Sequence, residues 1–212
     1  MIAATLLTLI CSAGLANGAD LPVTIVTLGD TLINGFKIDN PADRFSAKVA
    51  AGLLADDQKV VFQDAGTMDD TAGDLQWVLG PDGQALLANA ANHVLIIETG
   101  GDECGTLKLE QTKANLDKIL AALASKNIPV LVVGTIAFAF CGPDYVAAFP
   151  TMFSYLAAKY DDLLYPDFKA GVEGQDKLMV PYDGHPNEAG EAVIATDILP
   201  TVEALIARLK AK

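Results

Sequence analysis

The chain is predicted to be a three-layer α-β-α sandwich built on a mainly parallel five-stranded sheet. Three observations lead there. Short apolar runs recur along the sequence, and stretches with apolar residues at helical spacing alternate with them. No internal repeat, low-complexity tract or linker divides the 212 residues. Strand–helix alternation at this length describes one domain, with a parallel sheet covered by helices on both faces.

The elements follow in order. Residues 23–28 are the first strand, and an amphipathic helix lies around residues 44–54. Residues 59–62 give a second strand, and helical patterns follow near 72–79 and 84–90. A Gly80-Pro81-Asp82-Gly83 turn separates those two patterns, because Gly and Pro punctuate regular structure. Residues 93–98 are the third strand, 109–125 a long helix and 128–133 the fourth strand. Residues 145–160 read as a helix interrupted early by Pro150, which lacks an N–H to donate. A short fifth strand spans 163–165, and the last helical region, 188–209, carries a kink or break at Pro200.

Residues 1–18 hold no charge and contain an apolar run from Ile2 to Ile10, with small residues at Ala16-Asn17-Gly18. That pattern reads as a signal peptide over residues 1–19, leaving a single domain over 20–212 and a periplasmic or secreted location. No stable membrane insertion is expected once the leader is gone. The net charge of −13 argues against nucleic acid or an anionic membrane as partner. After leader removal Cys104 and Cys141 remain, each following one of two strands expected to be neighbours. In an exported chain they either pair as a disulfide between two loops or stay as free buried thiols.

In open parallel sheets ligands bind at the carboxyl ends of the strands. Asp30-Thr31, Asp69-Asp70, Asp102-Glu103 and the Cys141 loop all fall at such ends. The stretch Val26-Thr27-Leu28-Gly29-Asp30-Thr31-Leu32 resembles the Gly-Asp-Ser-Leu nucleophile block of the SGNH/GDSL hydrolases, with threonine in the serine position. Gln63-Asp64-Ala65-Gly66-Thr67-Met68-Asp69-Asp70-Thr71 resembles the family's second block, and Glu98-Thr99-Gly100-Gly101-Asp102-Glu103 its third. Asp183-Gly184-His185-Pro186-Asn187 is similar to the histidine block. Gly142-Pro143-Asp144-Tyr145 and Leu164-Tyr165-Pro166 also stand where the small exported arylesterase, thioesterase I and lysophospholipase branch has similar strings.

The resemblance implies carboxylic ester or thioester hydrolysis of a small-molecule substrate with no required cofactor. Thr31 would be the nucleophile and His185 the base. The family's Asp-x-x-His spacing would put the orienting acid at Tyr182. Either Asp183 takes that role at the closer Asp-x-His spacing, or Tyr182 packs where the carboxylate should be. The oxyanion donors would be the Thr31 N–H and the positions held by Asp69 and Asp102, where the family has Gly and Asn. Loss of one such donor costs about 3–4 kcal/mol of transition-state stabilisation. Activity is therefore expected to be weakened or altered, unless one carboxyl of the Asp69/Asp102 pair keeps its proton and donates.

Other readings stay open beside this one. A divalent cation could be held by Asp69, Asp102 and Glu103 with Asp70 or Asp183. The chain could also be a pseudoenzyme whose acidic pocket binds a cation or small ligand. Phe138 and Phe140, with Glu103, are expected to line the substrate pocket. Thr31 otherwise reads only as the cap of a following helix, while His93 and Trp77 read as structural.

Overall fold

The computed structural model describes residues 21–65, 70–88, 90–101 and 103–212. The expected leader, the oxyanion positions Asp69 and Asp102, and Gly66 to Met68 of the second block lie outside them.

Five strands, β1 (Val23–Gly29), β2 (Val60–Asp64), β3 (His93–Glu98), β4 (Val130–Val133) and β5 (Leu163–Tyr165), form one sheet in the order β2-β1-β3-β4-β5. All neighbouring pairs are parallel, with registers such as Ile25 opposite Val94, Ile96 opposite Leu131 and Val132 opposite Leu164. Side chains alternate across a strand, so each strand feeds two cores. Val26, Leu28, Leu95, Ile97, Val130 and Val132 point to one face. Ile25, Val94, Ile96, Leu131 and Val133 point to the other.

On the first face pack α2 (Thr71–Leu79), α3 (Pro81–Ala88), α4 (Leu109–Ala124) and α5 (Pro143–Tyr160), through Val78, Leu87, Leu116, Leu120, Phe149 and Phe153. Trp77 joins this core at its edge, as expected of a structural residue. On the second face α1 (Phe45–Ala55) and α6 (Glu188–Lys210) pack through Phe45, Val49, Leu53, Ile194, Ile198, Val202 and Leu205. Each such fully buried side chain contributes about 1.5–3 kcal/mol, which fixes the three-layer sandwich.

Four local readings change. α5 and α6 run without a break through Pro150 and Pro200, because packing against the sheet holds a helix through a missing hydrogen bond. The turn between the second and third helical stretches shrinks, since Pro81 begins α3, where a missing N–H is harmless. After Thr31 the chain makes a series of turns to Lys37, not a helix, before a short 3-10 turn at Pro41–Asp43. Asp30 drives this: its side chain accepts the Leu32 N–H at 2.9 Å, a local turn that competes with helix formation.

The chain leaves β1 toward β2 and leaves β3 toward β4, in opposite directions along the sheet, so the carboxyl ends of β1 and β3 flank the point where the strand order reverses.

Candidate active site

β1 ends in Gly29 with φ +148°, where an added Cβ would sit 1.6 Å from the Glu98 carbonyl oxygen. Only glycine lets the ends of β1 and β3 approach so closely. The next amide, Asp30 N–H, donates to that same Glu98 carbonyl at 3.3 Å. Thr31 thus stands on a tight turn whose flanking amides, Asp30 and Leu32, are both tied down.

Thr31 Oγ1 lies 2.9 Å from His185 Nε2, and Asp183 Oδ1 lies 2.5 Å from His185 Nδ1. With the ring proton on Nδ1, the imidazole donates to Asp183 and its Nε2 lone pair accepts the Thr31 hydroxyl. The loop that delivers these groups is narrow. Met179 bridges Pro186, Val180 N–H donates to the His185 carbonyl at 2.8 Å, and Asn187 N–H donates to the Leu178 carbonyl at 2.9 Å. Tyr182 (φ +61°) and Gly184 (φ +84°) both turn left-handed. That tight course brings the carboxylate two residues before the histidine onto the ring. Tyr182 itself stands fully exposed, away from the imidazole. Asn187 caps α6 by accepting the Ala189 and Gly190 N–H groups, which anchors the loop's far end.

Phe36 packs against the His185 ring with centroids 5.1 Å apart. Lys37 Nζ sits 3.7 Å from Asp183 Oδ2, a partly exposed pair. Beneath Thr31, Glu98 is completely buried. Burial first, and then the charge of Asp30, push its carboxyl well above the usual carboxylate range. Burial beside Asp30 thus favours the protonated carboxyl of Glu98 over its carboxylate.

A cavity of about 50 Å³ opens beside Thr31, lined by Asp30, Gly101, Thr135, Phe138, Lys169 and His185 among others. Phe138 forms part of this wall. Phe140 is 73% exposed and stacks on Phe138 from outside, ring centroids 5.4 Å apart. Glu103 turns away from the cavity. It is buried, accepting the Thr71 N–H and hydroxyl and the Thr112 hydroxyl, and so fastens the loop after β3 to the start of α2. Burial outweighs these bonds and raises its pKa.

Cys104 and Cys141 are joined in a disulfide with Cα atoms 5.4 Å apart. It ties the loop after β3 to the loop after β4 that carries Phe138.

The residues considered for a cation diverge. Asp70 caps α2 through the Gly73 N–H at 2.8 Å, Glu103 bonds the two threonines, and Asp183 holds His185. Among the described residues no group of three or more His, Cys, Asp or Glu is placed to hold a metal.

Lys169 and Thr135 were not singled out in the sequence. Both lie in irregular segments after β5 and β4, where no periodicity marks a residue as facing a cavity. Position after a strand end was the one available signal.

No protein-family model matches the chain. Esterase TesA of Pseudomonas aeruginosa is 28% identical over 123 residues, 58% of this chain and 61% of the esterase. The match thus spans less than two thirds of that curated relative. A crystal structure of TesA superposes over 86% of this chain and 99% of its own, with TM-score 0.75 and 25% identity. AlinE4, described as an SGNH-hydrolase family esterase, superposes over 87% of this chain and 96% of its own, with TM-score 0.68 and 26% identity. The sheet order and these likenesses show that the chain has the fold of the SGNH/GDSL hydrolases.

Proposed function

We propose that the chain is a carboxylic ester or thioester hydrolase that uses threonine as its nucleophile. The observation that carries this reading is the continuous relay Thr31–His185–Asp183, with both contacts at hydrogen-bond distance.

Thr31 Oγ1 attacks the ester carbonyl carbon while its proton passes to His185 Nε2. Asp183 stabilises the imidazolium and fixes the ring orientation. The carbonyl electrons collect on the oxyanion, for which the Thr31 N–H is the donor within the described residues. Collapse expels the alcohol, which takes the proton from His185. Water then enters, gives a proton to His185, and its oxygen replaces Thr31 on the carbonyl, releasing the acid and restoring the hydroxyl. The Thr31 methyl restricts χ1 and crowds the carbonyl, so turnover is slow relative to a serine in the same place.

The pseudoenzyme reading accounts less well for a relay in which the histidine is oriented at one nitrogen and engaged by a hydroxyl at the other. An oxidising, exported location fits the Cys104–Cys141 disulfide. Among the described residues no helix is long and apolar enough to cross a membrane.

The test is hydrolysis of p-nitrophenyl acetate and butyrate by the chain and two variants. Thr31→Ala should lower kcat by more than about 10³-fold with an unchanged unfolding temperature, because one member of such a relay carries most of its effect. Thr31→Ser should raise kcat. Turnover that survives Thr31→Ala would sink the assignment.

A further inference from the structure

Besides Asp30, the cavity beside Thr31 is lined by two polar groups that the hydrolytic steps leave unused. The first is Lys169, whose side chain is only 3% exposed. Its Nζ lies 3.2 Å from Glu173 Oε1 and 5.8 Å from the Phe138 ring centroid. An ammonium carries three donors, and among the described residues this one makes a single hydrogen bond, to Glu173. The Glu173 side chain is 46% exposed, so the pair is screened by solvent and weak. A lysine held this deep, against an aromatic ring and with such a partner, is costly for a surface-type role.

The second group is Thr135. It is buried, lines the same cavity, and its hydroxyl has no hydrogen-bond partner among the described residues. An unmet buried hydroxyl is destabilising until an acceptor reaches it. A ligand atom that accepts from both Lys169 and Thr135 is an anionic oxygen. Leu32, Ile136 and Phe138 supply the apolar remainder of the wall.

We propose that Lys169 and Thr135 form a carboxylate subsite, and that the chain acts on short hemi-esters of dicarboxylic acids. The ester carbonyl sits at Thr31 Oγ1, and the far carboxylate accepts from Lys169 Nζ and Thr135 Oγ1. The cavity, about 50 Å³, suits a spacer of a few carbons between them. This specificity rests on the esterase reading, since it concerns the acyl side of the same site.

The experiment compares monoethyl succinate with ethyl 4-methylpentanoate, its uncharged isostere, by pH-stat on the chain and on Lys169→Met. Succinamate, an amide analogue that resists turnover, serves as a binding probe by its effect on the unfolding temperature. The expected result is a preference of about tenfold or more in kcat/KM for the hemi-ester, the effect of one charge-assisted contact. That ratio should fall about tenfold in Lys169→Met, and succinamate should stabilise the native chain but not the variant. Should Lys169→Met unfold early, Thr135→Val repeats the comparison with only a hydroxyl removed. Equal or reversed preference in the native chain overturns the subsite and leaves the esterase reading intact. Absent turnover with a Lys169-dependent succinamate shift overturns the esterase reading and keeps the subsite. Neither turnover nor shift overturns both.

Discussion

Threonine in place of serine changes one methyl group, and the surroundings show how the site accommodates it. The Asp30 side chain ties the turn through the Leu32 N–H, so the Thr31 hydroxyl is directed to His185 and not drawn into capping a helix. Asp183 reaches the ring across a single intervening residue because Gly184 adopts a left-handed φ. If Asp183 orients the imidazole, Asp183→Asn should lower kcat by on the order of 10³–10⁴-fold while leaving the fold intact, as the wrong tautomer then faces Thr31. A pH–rate profile and thermal unfolding of that variant check both halves of the statement. Thr31 and His185 were visible in the sequence from their blocks. Which of Tyr182 and Asp183 stands at the ring was not, because a one-residue difference in spacing is resolved only by the loop's dihedral angles.

Among the elements, α5 and the disulfide carry the clearest expectations. Pro150 is exposed within α5 and withholds one helical hydrogen bond. Pro150→Ala should stabilise the protein by about 1–3 kcal/mol, measured by denaturant unfolding. The Cys104–Cys141 bond closes a sequence separation of 37 residues. Its reduction should cost about 2–4 kcal/mol through the greater freedom of the unfolded chain. It should also slow ester turnover, since it couples the loop after β3 to the loop bearing Phe138. Unfolding and initial rates measured with and without dithiothreitol test the two effects separately. The start of α1 is served at long range: Arg44 makes no side-chain cap, and the Phe45 N–H donates instead to Glu191 of α6 at 2.6 Å. No local sequence signal announces a cap supplied from 146 residues away.

For the whole molecule, burial of carboxyl groups sets the dependence of stability on pH. Glu191 is pushed up to about 7, chiefly by burial, against the Phe45 hydrogen bond and the charges of Lys48 and Arg44. Asp162 is likewise raised to about 7 by burial, opposed by Arg208. Both folded values exceed the ordinary ones, 4.5 for Glu191 and 3.8 for Asp162, so the folded protein binds protons that the unfolded chain has released. Their stabilising contribution is therefore full below pH ~4 and is lost as pH rises through ~7. Glu98 acts in the same direction. The unfolding temperature should fall between pH 5 and pH 8. The double variant Glu191→Gln, Asp162→Asn should flatten that slope, and an unchanged slope would refute the assignment. The net charge of −13 adds self-repulsion in the same sense at neutral pH.

By itself the sequence determined the layer architecture, the five strands and the order of the blocks that carry Thr31 and His185. Those rest on local hydrophobic period and on residue types at fixed spacing, both readable along one dimension. β3 and β5 have the bounds expected of them. Pro150 and Pro200 do not break their helices because propensity is local, whereas two buried cores keep α5 and α6 continuous through them. Only the tertiary structure decided that Asp183 meets His185, that Glu103 faces inward, and that Lys169 and Thr135 share a cavity with Thr31. Each of these depends on loops from different strand ends converging in space, and the position of a side chain relative to a distant loop leaves no periodic trace in the chain.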